Sequence, residues 1–285
     1  MDNEPMSPFD VSTGRPFLKI HGLGNDFVLI DGRQTPFNVD ASSITRICDR
    51  HIGVGGDQLL VIESASGPDA TARLRIFNVD GMEVQTCLNA TRCAAWVLLT
   101  ELGLRAVKIE TLGGIIQAMS RSDGQVSLKV PAPSWEWQDI PLVSPSNGGP
   151  LAIESGPLRS PMAVSMGNPH LVFLVADFDS VDIPAYAPAV QNHPMLLEGA
   201  NVGVAELVAA DRIKLAVWER PGILTLACGS GACAAALVVR RLKLSTSSSF
   251  TVHMPGGDLA VEVLPDETTL LTGPVEVPFT GRLLI

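Results

Sequence analysis

The sequence predicts an α+β fold in two pseudo-symmetric halves, each a curled β-sheet wrapped on one central helix. Three observations predict it. The stretches around Cys87 (RIFNVDGMEVQTCLNATRCAAWVLL) and Cys228 (KLAVWERPGILTLACGSGACAAALVV) follow one plan. Strand-like runs outnumber helical ones. Each repeat holds one long, Ala-rich apolar segment that starts at its paired cysteines.

The repeat extends beyond those stretches. Asn78 precedes Cys87 by nine residues, and Glu219 precedes Cys228 by nine. Gly24-Asn25 lies upstream of the first cysteine and Gly167-Asn168 upstream of the second, at nearly equal Asn-to-Cys intervals. Turn glycines Gly81 and Gly222 match, and Leu112-Gly113-Gly114 answers Pro255-Gly256-Gly257. Chance supplies one such match; four in the same order point to a duplicated domain.

The elements follow in chain order. The first sixteen residues carry acidic residues and prolines without an apolar run, and read as a frayed tail rather than a targeting peptide. Strands are predicted over 27–31, 58–63 and 74–78, where residues alternate or are β-branched. Residues 42–49 form a helical pattern, and the first long helix starts at Cys87. A strand at 125–130 closes the first half. Residues 130–150, rich in Pro, Ser and Gly, mark a connection. The second half offers strands at 170–175, 213–218 and 259–264, with its helix starting at Cys228.

Composition narrows the function. The 285 residues are 46% hydrophobic and 18% charged, which describes a core-rich globular chain. Twenty basic against thirty acidic residues argue against nucleic acid or an anionic membrane surface as partner. No apolar stretch approaches the ~20 residues of a membrane helix. The five cysteines are odd in number, form no C-x-x-C and match no zinc spacing, so no metal site is expected. They read as free thiols in a reducing, cytoplasmic setting.

Cys87 and Cys228 sit at equivalent helix starts. A helix N-terminus offers free N–H groups and partial positive charge, which favour a thiolate and a nearby carboxylate. The glycines of Cys228-Gly229-Ser230-Gly231 let backbone approach an anion. If the halves face one another, two thiols flank one cleft. One removes a proton from a carbon and the other delivers a proton to the opposite face, which inverts a stereocentre without a cofactor. Cys48, Cys93 and Cys233 lie within apolar segments and read as core packing.

These residues resemble the diaminopimelate epimerase family. The resemblance is carried by His21-Gly22-Leu23-Gly24-Asn25-Asp26-Phe27, Asp49-Arg50-His51-Ile52-Gly53-Val54-Gly55-Gly56-Asp57-Gln58 and Phe77-Asn78-Val79-Asp80-Gly81. Met166-Gly167-Asn168-Pro169-His170, Asn201-Val202-Gly203, Glu219-Arg220, Ala227-Cys228-Gly229-Ser230-Gly231-Ala232-Cys233 and Thr272-Gly273-Pro274 continue it. It implies epimerisation of LL-2,6-diaminopimelate to the meso form, in lysine and peptidoglycan-precursor biosynthesis, with Cys87 and Cys228 as the acid/base pair and no cofactor. It implies that His170 and Glu219 tune the thiols and that Asn25 and Gln58 line the substrate site. Asn78, Asn168, Asn201 and Arg220 would hold the substrate, particularly its distal amino-acid group, and the amides at Leu88-Asn89 and Gly229-Ser230 the reacting carboxylate. It further implies a first half of residues 1–131 completed by a C-terminal strand 275–285, a second half of 132–274, and a homodimer acting on a small amino acid.

Two departures from the family pattern stand out. The family's Cys-Gly-Asn-Gly loop is here Cys87-Leu88-Asn89-Ala90, so Leu88 is expected to strain or reshape it. Its Gly-x-Gly-Glu-Thr is here Pro221-Gly222-Ile223-Leu224-Thr225, which removes an acidic residue. A paralogous racemase or isomerase and a catalytically weak binding relative therefore stay open. Retention of Asn78, Asn201 and Arg220 favours the epimerase over the paralogue, and retention of both cysteines speaks against the binding relative.

Overall fold

The computed structural model describes residues 13–220 and 222–284. The first half runs β1 (Arg15–Gly22), β2 (Asn25–Asp31), α1 (Ala41–Cys48), β3 (Gln58–Glu63) and β4 (Ala72–Asn78). It continues with α2 (Leu88–Leu102), β5 (Ala106–Thr111), β6 (Gly114–Ser120) and β7 (Val126–Val130). A small hairpin of β8 (Glu154–Ser155) and β9 (Leu158–Arg159) opens the second half. Then come β10 (Met162–Ser165), β11 (Pro169–Leu174), α3 (Ile183–Gln191), β12 (Asn201–Ala209), β13 (Arg212–Glu219) and β14 (Ile223–Thr225). The chain ends with α4 (Gly229–Arg241), β15 (Ser249–Met254), β16 (Gly257–Val263), β17 (Thr269–Gly273) and β18 (Glu276–Leu283).

One long curled sheet contains both halves, in the order β10-β11-β12-β13-β15-β16-β17-β7-β6-β5-β4-β3-β2-β1-β18, with β14 paired to β13. The halves meet where β7 and β17 pair antiparallel, and there the Ser127 and Thr272 hydroxyls bond at 2.6 Å. The duplication is evident in the pairing. β2/β3 and β4/β5 are parallel across α1 and α2, as β11/β12 and β13/β15 are across α3 and α4. A parallel pair needs a long crossover, and each of these crossovers contains one of the α-helices α1 to α4. Equivalent tight turns reuse glycine with positive φ: Gly24 and Gly167 (83° and 88°), Gly114 and Gly257 (117° and 131°).

The fold is therefore α+β, with two pseudo-symmetric halves of the sheet, each curled around its central helix. α2 and α4 are buried on nearly all sides, with Ala94, Ala95, Ala234, Ala235 and Ala236 inaccessible to solvent. Their small side chains let the sheet curl closely round them. α2 stops at Gly103, whose φ of 64° is the left-handed cap that favours glycine. The strands serve two cores at once. On β2, Phe27 and Leu29 face the central helices, whereas Val28 and Ile30 meet α1 on the outer face. That is why these strands read as unbroken apolar runs. Cys93 and Cys233 lie in the central core and Cys48 in the outer one.

The structure adds elements that the sequence did not announce. β12 is buried on both faces for its first five residues, so it does not alternate. α3 carries Pro184 in its first turn and Pro188 inside, which hides its helical period, yet Asp182 caps it by accepting from the Ala185 N–H. Of the sixteen residues read as a tail, Arg15 and Pro16 belong to β1, and residues 1–12 lie outside the described residues. β18 pairs with β1, and Ile140 and Leu142 from the 130–150 connection are buried in the second half's outer core. Among the described residues no helix is long and apolar enough to cross a membrane.

Candidate active site

Cys87 and Cys228 are the N-caps of α2 and α4, with closely similar extended backbones (φ −148°, ψ 114° and φ −131°, ψ 106°). The helices are equivalent and their first residues meet, Leu88 against Gly229, so both N-termini open on one cleft. Its cavity, about 590 Å³, is lined from the first half by Asn25, Gln58, Asn78, Cys87, Leu88 and Asn89. From the second half it is lined by Asn168, Asn201, Glu219, Arg220, Cys228, Gly229 and Ser230. The fold thus gathers into one cavity residues from opposite halves of the chain.

The polar side chains divide by what they already hold. Gln58 donates to the Asn78 side-chain carbonyl (2.9 Å), while its own Oε1 is buried with no partner among the described residues. Asn201 is committed at both ends: its Nδ2 donates to the Pro169 carbonyl (3.2 Å) and its Oδ1 accepts from the Arg220 backbone N–H (3.0 Å). Asn201 therefore sets the backbone from which Arg220 springs. The Arg220 guanidinium touches only the Glu198 carbonyl (3.3 Å) and forms no ion pair among the described residues. Most of its fork remains for an anion.

His170 is placed differently from the other site residues. It is fully buried behind the cavity wall, with Nε2 at 3.1 Å from Asn168 Oδ1 and 3.0 Å from Ser230 Oγ. Burial, helped by the Arg220 charge, holds it down at about 3, so it is a neutral imidazole. It reaches Cys228 through Ser230, whose hydroxyl is 3.5 Å from the sulfur. Glu219 lies closer to the chemistry. Thr225 Oγ1 donates to it (2.7 Å), burial raises its carboxyl above the usual range, and it acts electrostatically on both thiols.

The expectation that helix N-termini favour thiolates is overturned by desolvation. Burial pushes Cys87 up to about 11, with Glu219 adding to it and the Ala90 and Asn89 N–H groups opposing. Cys228 is raised well above the ordinary thiol value, by burial first and Glu219 second, against the Ser230 hydroxyl and Gly231 N–H. Burial thus favours the thiol over the thiolate at both sulfurs, and the helix ends soften that preference without reversing it.

The expected strain at Leu88 is absent. Leu88 has no positive φ; it is the first residue of α2, nearly buried, and packed in the central core. Its opposite number, Gly229, explains the fit. A Cβ on Gly229 would sit 3.0 Å from Leu88 Cβ and 2.9 Å from Leu271 Cδ2. Bulk on one helix end is matched by its absence on the other. Leu88→Gly is therefore expected to destabilise, by about 2–5 kcal/mol as for other buried leucine truncations, and to lower activity. Gly229→Ala should lower it too. Urea melts and initial rates of both variants check this; faster turnover by Leu88→Gly at unchanged stability would restore the strain reading. Leu224, the other departure, lies half exposed on β14 at the cleft rim, and Pro221 is outside the described residues.

Sequence reasoning missed three residues that support the site. Asp57 accepts from Asn25, Arg92 donates to Asn89, and Gln191 donates to the Glu219 backbone carbonyl (3.1 Å). A charged residue within an otherwise apolar helix could have singled out Arg92. Gln191 had no signal, because its helix was not read.

A duplicated, curled sheet with two thiols capping its two central helices at one cleft is the architecture of the two-cysteine isomerases. The comparisons narrow the class. The sequence profile of diaminopimelate epimerase matches residues 17–135 and 162–278. The diaminopimelate epimerase of Acidiphilium cryptum is 42% identical over 96% of this chain and 98% of its own. That of Phenylobacterium zucineum is 42% identical over 95% and 98%. Among solved structures, a probable proline racemase from Agrobacterium radiobacter superposes with a TM-score of 0.68 at 14% identity, covering 95% of this chain and 93% of that one. The chain belongs to the diaminopimelate epimerase family.

Proposed function

We infer that this chain is an isomerase that converts LL-2,6-diaminopimelate to meso-diaminopimelate by a two-thiol mechanism. Family membership supports the reaction. The observation that carries the mechanism is that Cys87 and Cys228 cap two equivalent helices at one cavity. In this reading one cysteine, as thiolate, takes the α-proton, and the other, as thiol, gives its proton to the opposite face of the carbon. The C–H bond breaks on one side and forms on the other, and the thiol and thiolate have exchanged roles. Free N–H groups in the first turns of α2 and α4, at Leu88-Asn89 and Gly229-Ser230, bind the reacting carboxylate and the charge that builds on it. Asn78, Asn168 and Arg220 hold the distal amino-acid group, with Asn201 fixing Arg220. Asn25 and Gln58 shape the floor beneath the reacting carbon. The pairing of β18 with β1 supports a first half of 1–131 completed by 275–285 and a second half of 132–274. The family supports a cytoplasmic homodimer.

Incubation with LL-diaminopimelate in D2O under reducing conditions tests the reaction. The expected result is meso product deuterated at the inverted carbon, because the incoming proton comes from a solvent-exchanged thiol. Inversion with full retention of the original hydrogen would sink the two-base scheme. Its pH dependence has a defined sign. Both thiols are raised above the ordinary value of 9.0, so below that value the thiolate fraction grows about tenfold per pH unit. kcat/KM should accordingly rise from neutral pH towards that value, and a profile that falls over this range would contradict the thiolate base.

A further inference from the structure

Arg92, in the second turn of α2, is fully buried and has no carboxylate partner among the described residues. Its Nε donates to the Pro274 carbonyl (3.2 Å) and its Nη1 to Asn89 Oδ1 (2.9 Å). Gly22 and Gly273 make room for it; a Cβ on either would crowd the guanidinium. Asn89 in turn donates from Nδ2 to Asn25 Oδ1 (3.1 Å) and to the Ala227 carbonyl (3.1 Å). Asn25 donates from Nδ2 to Asp57 Oδ2 (2.9 Å), and Asp57 is held by Arg50 (2.8 Å).

The ends of this series cannot be reversed. A guanidinium only donates and a carboxylate only accepts. Asn89 must therefore turn its carbonyl to Arg92, and Asn25 must turn its N–H to Asp57. What remains facing Cys87 is Asn25 Oδ1, 3.9 Å from the sulfur. We propose that Arg92, Asn89, Asn25 and Asp57 form one directed hydrogen-bond chain that presents a carbonyl oxygen, not an N–H, to the Cys87 sulfur, making Arg92 and Asp57 positioning residues of the first thiol. This rests on the two-thiol reading above.

The chain gives two equivalent cysteines different partners. The side-chain partner of Cys87 is the Asn25 carbonyl, whereas Cys228 has the Ser230 hydroxyl (3.5 Å) and the Glu219 carboxyl, and receives the Gly231 N–H at 3.4 Å. Among the described residues the second half has no copy of the chain: Asn168, the counterpart of Asn25, is engaged with His170 instead. Cys87 is thereby held in its protonated form by a chain of amides, and Cys228 by its own, different surroundings. The other groups facing Cys87 are Glu219 on β13, Arg92 and the Asn89 and Ala90 N–H groups on its own helix, and Cys228 across the cleft.

The test uses a Cys228→Ala protein, in which Cys87 is the remaining cleft thiol, and follows its alkylation by iodoacetamide with peptide mass spectrometry across pH. Asp57 is exposed, so its replacement is compatible with folding. In Asp57→Asn the new amide keeps its Oδ1 on Arg50 and sets its Nδ2 against the Asn25 Nδ2, so that Asn89 alone still holds the Asn25 carbonyl and part of the population turns an N–H to the sulfur. Alkylation at neutral pH should then quicken by about three- to tenfold, as a modest fall in the thiol pKa enlarges the thiolate fraction. In an Asn25→Ala background the same substitution should change nothing. Arg92→Lys, which keeps the cation and loses the fork, should likewise alter the rate only while Asn89 is present. The proposal is overturned if Asp57→Asn has no effect, or if it acts equally without Asn25, which would mean that Asp57 acts through its charge alone. Alkylation needs no turnover, so a failure here leaves the two-thiol scheme to be judged by the D2O experiment.

Discussion

Cys87→Ala and Cys228→Ala are each expected to lower epimerisation of LL-diaminopimelate by about 10³-fold or more, the upper range for loss of a positioned acid or base. Each removes one proton carrier from one face of the carbon. The two variants differ in an informative way: the surviving cysteine can still exchange the α-proton of one stereoisomer with solvent. One variant should therefore wash deuterium into the LL form and the other into the meso form, both without inversion. Cys93→Ala, in the central core, should affect stability more than turnover. Full inversion by either cleft variant would end the two-thiol mechanism. Two thiols at one cavity also predict oxidant sensitivity, because their apposition permits a disulfide. Loss of activity on oxidation, with recovery on adding dithiothreitol, is the expected result; unchanged activity after prolonged oxidation would argue that the sulfurs do not meet.

Arg220→Lys is expected to lower kcat/KM by about 10- to 100-fold, the equivalent of losing a charge-assisted pair worth about 1.5–3 kcal/mol. An ammonium retains the charge but not the planar two-donor fork that fits a carboxylate. The bland alternative, in which Arg220 merely neutralises a surface acid, is disfavoured because no carboxylate pairs with it among the described residues. The same clamp predicts strong selectivity. A substrate without the distal amino-acid group leaves Arg220 and Asn78 unpaired, which costs far more than a lost methylene. Lysine and alanine should be processed very poorly. A side-by-side assay of wild type and Arg220→Lys on diaminopimelate, lysine and alanine decides it. Comparable wild-type turnover of alanine would transfer the assignment to a racemase of the same fold.

Much of this was legible in the sequence because duplication leaves its mark on spacing. The repeated Asn-to-Cys intervals and the answering glycines survive because a tight turn with positive φ tolerates little else, and Gly24/Gly167 and Gly114/Gly257 adopt such φ values. The cysteines stood out because polar, glycine-rich surroundings interrupt otherwise apolar segments at the same place in each repeat. Strands such as β3 and β4 were readable from apolar and β-branched runs. β12 and α3 were not, because full burial erases alternation and two prolines mask the helical period.

By itself, the sequence determined that two equivalent helix starts carry thiols, that the chain is duplicated, and which polar residues accompany the cysteines. All of these are matters of order and local backbone chemistry. The tertiary structure alone decided that the expected site residues other than His170 line one cavity, that Leu88 fits because Gly229 opposes it, and that His170 stands behind Ser230. It also decided that burial outweighs the helix ends at the sulfurs, and that a buried arginine and an exposed aspartate orient the amides between them. The reason is physical. Desolvation, steric fit and hydrogen-bond direction depend on what surrounds a side chain in space, and here those surroundings come from the other half of the chain.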